Sequence, residues 1–213
     1  MIIAVDGTLA SGKGTIARAL AAHYNLPYMD TGRLYRSCAW AALQAGVCLD
    51  NVSALVELAY SMTPEAYDEA DLRTEAVGDA ASKLAVLSEL RAALVKRQRD
   101  FATQPGGAIL DGRDIGTVIC PDADVKLWID ADIEVRARRR AADYAGAGQT
   151  VSESDMIAKL KARDDRDKAR ATAPMKKSEN AVLIDTSKLS IDEAVERARG
   201  IIDASQAQKD SSL

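Results

Sequence analysis

Five short apolar runs recur along the chain, at residues 2–5, 27–30, 108–111, 125–130 and 182–185, and each ends on or beside an aspartate: Asp6, Asp30, Asp111, Asp130 and Asp185. Between them the apolar positions return every three or four residues, which is the spacing of helices. Residues 13–24 place Ile16, Ala19 and Leu20 on one face, and Pro27 bars further extension. Residues 34–45 repeat the pattern with Leu34, Cys38, Ala41 and Ala45, with Gly46 as cap. Residues 52–101 are mostly helical in pattern, with Pro64 and Gly78 as interruptions, Ser88 as the N-cap of a helix carrying Leu90, Leu94 and Phe101, and Gly106-Gly107 as the end. A basic helix over residues 133–144 follows the fourth strand. Ser152 with Asp155, and Ser190 with Glu193, are capping boxes. The last helix has the stripe Ile191, Val195, Ala198 and Ile202, and the polar stretch from Ser205 is expected to fray.

Short apolar strands alternating with helices predict an α/β fold, a parallel five-stranded sheet with helices on both faces. In such sheets ligands sit beyond the carboxyl ends of the strands, where the five aspartates fall. The 213 residues suit one core with small appended parts. A net charge of −4 argues against a nucleic-acid partner. No apolar run is long enough to span a membrane, and the N-terminus lacks a signal-peptide pattern. Three cysteines without a C-x-x-C pair fit a reduced, cytoplasmic setting. One histidine, His23, excludes a histidine-rich metal site and leaves little room for a Ser-His-Asp triad; it fits a surface position at a helix end.

The strongest chemical signal follows the first strand. Gly7, Thr8, Leu9, Ala10, Ser11, Gly12, Lys13, Gly14 and Thr15 match G-x-x-x-x-G-K, with Gly14 inserted before the hydroxyl residue. Glycines let the backbone wrap a phosphate, and the helix opening near Lys13 adds its positive end. Lys13 reaches the β- and γ-phosphates, and the Thr15 hydroxyl is the candidate Mg²⁺ ligand. ATP and Mg²⁺ are therefore the expected cofactors. A dinucleotide fingerprint at Gly12-Lys13-Gly14 is a weak rival, because its third glycine would fall on Ala17.

Arginines supply the acceptor side. Arg33 and Arg36 follow the second strand and Arg113 the third, the side on which a phosphate acceptor lies. At helical spacing Met156, Leu160, Arg163, Asp167 and Arg170 share one face, apolar at its start and charged at its end. Such a helix leaves the core and enters a cleft; a solvated ladder of ion pairs is the plainer alternative. Arg136, Arg138, Arg139 and Arg140 open a stretch that runs to the small residues 145–148, which fits either a closing element or a basic helix face. A phosphate acceptor is ionised at neutral pH and needs no general base, which suits a chain poor in histidine. The rivals are another small-molecule P-loop kinase, a GTP-dependent switch, whose Asn-Lys-x-Asp motif is missing, and a non-catalytic nucleotide-binding module.

Taken together, the P-loop, the segment from Asp30 to Arg36, Arg97-Gln98-Arg99, the segment from Asp111 to Val118 and the run from Arg163 to Asp167 resemble bacterial cytidylate kinases, P-loop nucleoside monophosphate kinases, over nearly the whole chain. The resemblance implies phosphorylation of CMP and dCMP by ATP, with Lys13, Arg113, Arg163, Asp167 and Arg170 as catalytic residues. It implies a substrate site of Thr31, Tyr35, Arg36, Ser82, Arg91, Arg113, Asp114, Arg163, Asp167 and Arg170, in which Arg163 and Asp167 lie near the sugar. It divides a single domain into a core (about 1–30, 106–135 and 150–205), a monophosphate-binding region (about 31–105) and a short lid from about 136–150. Small-molecule substrates and a monomer are expected. Two departures stand out: the family has glycine where Ala10 stands, and residues 63–72 are too short for the small β-sheet that bacterial members insert.

Overall fold

A computed structural model describes residues 1–146 and 148–211. Strands β1 (Ile2–Gly7), β2 (Tyr28–Asp30), β3 (Ala108–Gly112), β4 (Val125–Asp130) and β5 (Val182–Asp185) form one parallel sheet in the order β2-β3-β1-β4-β5. β1 lies at the centre, with Ile2 opposite Ala108 on one side and Ile3 opposite Val125 on the other. All five predicted strands are present.

Helix α1 (Lys13–Tyr24) and helix α9 (Ile191–Asp210) cover one face of the sheet. There Ile3, Val5, Ile16, Leu20, Leu127, Ala198 and Ile202 are fully buried or nearly so. The opposite face is closed by Ala102 at the end of α6 (Ser88–Ala102) and by a π-helical turn (Ile115–Ile119) packed on Ala4 and Leu110. Helices α2 (Thr31–Gln44), α3 (Val52–Ser61), α5 (Glu75–Leu84) and α6 build a second core around Leu34, Cys38, Leu55, Leu84, Leu90 and Leu94, and the short α4 (Glu69–Leu72) packs on α2. Helices α7 (Ile133–Gly146) and α8 (Glu153–Lys168) pack through Ala137, Met156 and Leu160, with Leu9 of the P-loop against them.

Several sequence expectations shift. Gly78 does not interrupt a helix; it sits inside α5, which is capped by Thr74. Leu87, not Ser88, is the N-cap of α6, because the Leu87 carbonyl already accepts from the Arg91 amide. The buried stripe of α9 is Ala194, Ala198 and Ile202, whereas Ile191 is 61% exposed. The capping box at Ser190 holds: the Glu193 carboxylate accepts from the Ser190 amide, and the Ser190 hydroxyl accepts from the Glu193 amide. That cap starts a helix that runs to Asp210, past the expected fraying point. Ala145 and Gly146 are helical and Gly148 lies in a turn; Ala147 of that small-residue run, and Ser212 and Leu213 of the tail, lie outside the described residues.

Candidate active site

β1 delivers the chain into the P-loop. Gly7 is obligatory, since a Cβ there would lie 1.9 Å from the Ile129 carbonyl oxygen of β4. The Thr8 hydroxyl donates to Asp130 at 2.6 Å, and its carbonyl accepts from the Ser11 hydroxyl at 3.0 Å. Ala10 and Gly12 have φ of 61° and 91°, turning successive amides inward as an anion cradle. Gly12 caps α1 without a side chain, so no side-chain oxygen competes for the first-turn amides. Leu9 to Thr15 line a cleft of about 550 Å³, with Gly7 and Thr8 bracing the loop behind it.

The same cleft contains the predicted Thr31, Tyr35, Arg36, Arg91, Arg113, Asp114, Arg163, Asp167 and Arg170. Ten lining side chains are cationic and five acidic, an excess that favours anionic ligands. Asp167 is 1% exposed and accepts from Arg113 Nε at 3.2 Å and from Arg170 Nη2. Arg91 donates to Asp114 at 2.5 Å, beside the Tyr35 ring. Arg36 donates to Asp30 at 2.6 Å, and the Thr31 hydroxyl donates to the Asp111 carbonyl at 2.7 Å. The Nε donors of Arg36, Arg163 and Arg170 are buried without partners, left over once the protein's own acceptors are used.

The α8 helix behaves as its stripe predicted: Met156 and Leu160 are buried, and Arg163 and Asp167 reach the cleft. Two details differ. α8 stops at Lys168, so Arg170 projects from the turn after the Ala169 C-cap. Asp167 pairs with Arg113 and Arg170 and not with Arg163. Arg163 lies beside Gly78 of α5, where an added Cβ would stand 3.7 Å from its Nη1. Ser82 is buried outside the cleft wall, its hydroxyl accepting from Arg166 at 2.9 Å.

Two acids that were only placed at strand ends belong to the cleft. Asp30 and Asp111 line it and act electrostatically on Lys13. Burial, aided by Arg113, brings the Lys13 ammonium down to about 7. Burial and the neighbouring Asp30 raise Asp111 to about 6. Burial opposes ionisation of Asp30, but Arg36, Lys13 and the Arg33 amide overrule it and hold its carboxyl below the usual value. Burial also lowers Arg163 to about 10, with Arg113 adding repulsion. The exposed Thr15 hydroxyl and these two carboxylates are hard oxygen donors, a set that suits Mg²⁺. In the basic cluster of α7, Arg136 is buried against Asp164 at 2.8 Å and Arg139 binds Thr186; only Arg139 and Arg140 line the cleft.

The chain is similar to known proteins over nearly its full length. Residues 3–204 match the family model described as cytidylate kinase. It is 50% identical over 204 residues to a cytidylate kinase of Methylocella silvestris, covering 96% of this chain and 94% of that one. Identity is 47% to a cytidylate kinase of Bradyrhizobium sp., covering 97% and 98%. Among solved structures, an uncharacterised protein of Eubacterium ventriosum shares the fold with a TM-score of 0.57 at 16% identity, covering 95% of this chain and 98% of that one. A Thermus thermophilus protein does so with 0.51 at 19%, covering 96% of each. With the sheet order, the phosphate loop and this full-length match together, the chain belongs to the cytidylate kinase family and is a kinase.

Proposed function

We propose that this chain transfers the γ-phosphoryl group of ATP to CMP, and also to dCMP, giving ADP and the cytidine diphosphate. The observation behind it is the facing of two sets across one cleft: the P-loop with Lys13, and the arginines 36, 113, 163 and 170. An ionised oxygen of the acceptor phosphate attacks the γ-phosphorus, the bond to the β-bridging oxygen breaks, and its electron pair leaves with ADP. No side chain needs to take a proton. Lys13 and the P-loop amides hold the β- and γ-phosphates, and Arg36, Arg113, Arg163 and Arg170 orient the acceptor phosphate and balance the charge in transfer. Thr15, Asp30 and Asp111 would hold Mg²⁺, which neutralises phosphate charge when bound. The Arg91–Asp114 pair presents donor and acceptor edges suited to cytosine, with Tyr35 beside it, and Ser82 joins them if it exchanges Arg166 for the base.

On this reading, helices α2 to α6 form the monophosphate-binding region and the stretch from about 136–150, opened by α7, the lid, with the protein a cytoplasmic monomer that binds no nucleic acid. Among the described residues no helix is long and apolar enough to cross a membrane. A coupled assay of ADP release across the common nucleoside monophosphates, with ATP and Mg²⁺, tests the proposal. CMP and dCMP should be the preferred acceptors. A much higher kcat/KM for AMP or GMP would overturn the cytidine assignment.

A further inference from the structure

A second cleft, of about 580 Å³, shares no residue with the first. Its walls include Thr117, Lys126, Lys176, Lys177, Ser178 and Glu179. One wall is the π-helical turn that follows Asp114. The other is the loop after Arg170, pinned to β4 where Met175 and Ala181 pack on Trp128.

Lys126 is only 8% exposed, and lysines are rarely this buried without a carboxylate partner. Among the described residues it has none: its ammonium donates to the Pro121 carbonyl and forms no ion pair there. Asp6, separated from the Lys126 stem by Gly116, spends its two oxygens on the amides of Ile115 and Gly116. An ammonium has three donors, so two remain on Lys126. The Thr117 hydroxyl is shielded from solvent and also has no partner. Lys177 holds the Ala181 carbonyl with one donor, and among the described residues Lys176 makes no hydrogen bond or ion pair. Three cations thus face one carboxylate, Glu179.

We infer that this cleft is a second anion site, which takes the phosphate group of a small phosphorylated molecule or free phosphate. Lysines that line the cleft from β4 and from the loop after Arg170, with the Thr117 hydroxyl on the π-helical turn, suit a compact oxyanion with several acceptor oxygens. Both walls continue into the first cleft. Thr117 is three residues beyond Asp114, and the Met175 amide donates to the Asp167 carbonyl at 2.8 Å.

Backbone amide NMR of the full chain, titrated separately with inorganic phosphate and with a nucleoside triphosphate, tests the site residue by residue. Saturable shifts at Gly116, Thr117 and Ser178 are expected, resolved from those of Gly12 to Gly14 in the P-loop. Removing two charge-assisted donors with Lys176→Gln and Lys177→Gln should weaken binding at these amides at least about tenfold. Both lysines are exposed, so the fold is not at risk. Thr117→Val should weaken it too, and P-loop shifts should be unchanged in both variants. Saturation by either ligand supports the site and says which source fills it. The inference is overturned if neither ligand saturates these amides, if sodium chloride of equal ionic strength reproduces the shifts, or if the double variant binds as the wild type does.

Discussion

Lys13 combines a cation with a site that disfavours its charge. At pH about 8 a Lys13 that titrates near 7 is mostly neutral, and phosphate oxygens of a bound nucleotide restore the proton. Calorimetry in buffers of different ionisation enthalpy should therefore show proton uptake on ATP binding, absent in Lys13→Met. The same variant should lose about 10²–10³-fold in kcat while its circular dichroism is unchanged. Asp167 is the second case. It is buried between Arg113 and Arg170, and on the proposed function it is the acceptor for the ribose 2′-hydroxyl. Asp167→Asn should lower kcat/KM for CMP about tenfold more than for dCMP, because only the ribose loses a partner. Equal losses on the two acceptors would make Asp167 a brace between arginines and no reader of the sugar. Ala10 tests the loop backbone. A left-handed alanine costs about 1–2 kcal/mol, partly offset by the unfolded-state entropy glycine adds, so Ala10→Gly should stabilise by at most about 1 kcal/mol in urea unfolding.

At the scale of elements, the π-helical turn hangs on one buried carboxyl. Asp6 accepts from the Ile115 and Gly116 amides, each at 2.8 Å, yet burial raises it to about 7 from a reference of 3.8. The folded state thus binds a proton that the unfolded chain releases. Its stabilisation is full below pH 3.8 and is lost as pH rises toward 7. Asp6→Asn adds a constant cost, about 1–3 kcal/mol for the lost acceptor, but removes this slope. Urea unfolding between pH about 5 and about 8 should show stability falling less steeply in the variant than in the wild type. Strands and their aspartates were legible because a buried parallel strand leaves a run of apolar residues. α8 was legible because one stripe carries both its packing and its charges. The pairing of Asp167 was not, since Arg113 comes from β3, and helical spacing reveals only neighbours on the same helix. Asp30 and Asp111 were seen as strand ends but not as site acids, because their facing of Lys13 depends on the spatial order β2-β3-β1. Ser88 was one residue out because a backbone carbonyl, with no side-chain signature, starts α6.

At the scale of the whole molecule, a chain of net charge −4 carries ten cationic against five acidic side chains along the P-loop cleft, so its net charge and this site have opposite signs. Anionic substrates should be drawn in by a short-ranged field, and kcat/KM should fall as ionic strength rises toward about 1 M, where the screening length is about 3 Å. The sheet order sets a timetable as well as a shape. β1 leaves the ribosome before the other four strands of the sheet, but its neighbours begin at Ala108 and Val125. At about 5–20 residues per second, β1 and the P-loop wait on the order of 5–20 s for a partner. During that interval α2 to α6, whose core draws on residues 29–94, are already complete. The helical half that faces the acceptor side is therefore positioned to fold first, and the nucleotide-binding loop is held open, unstructured and within reach of proteases and chaperones until β3 and β4 have emerged.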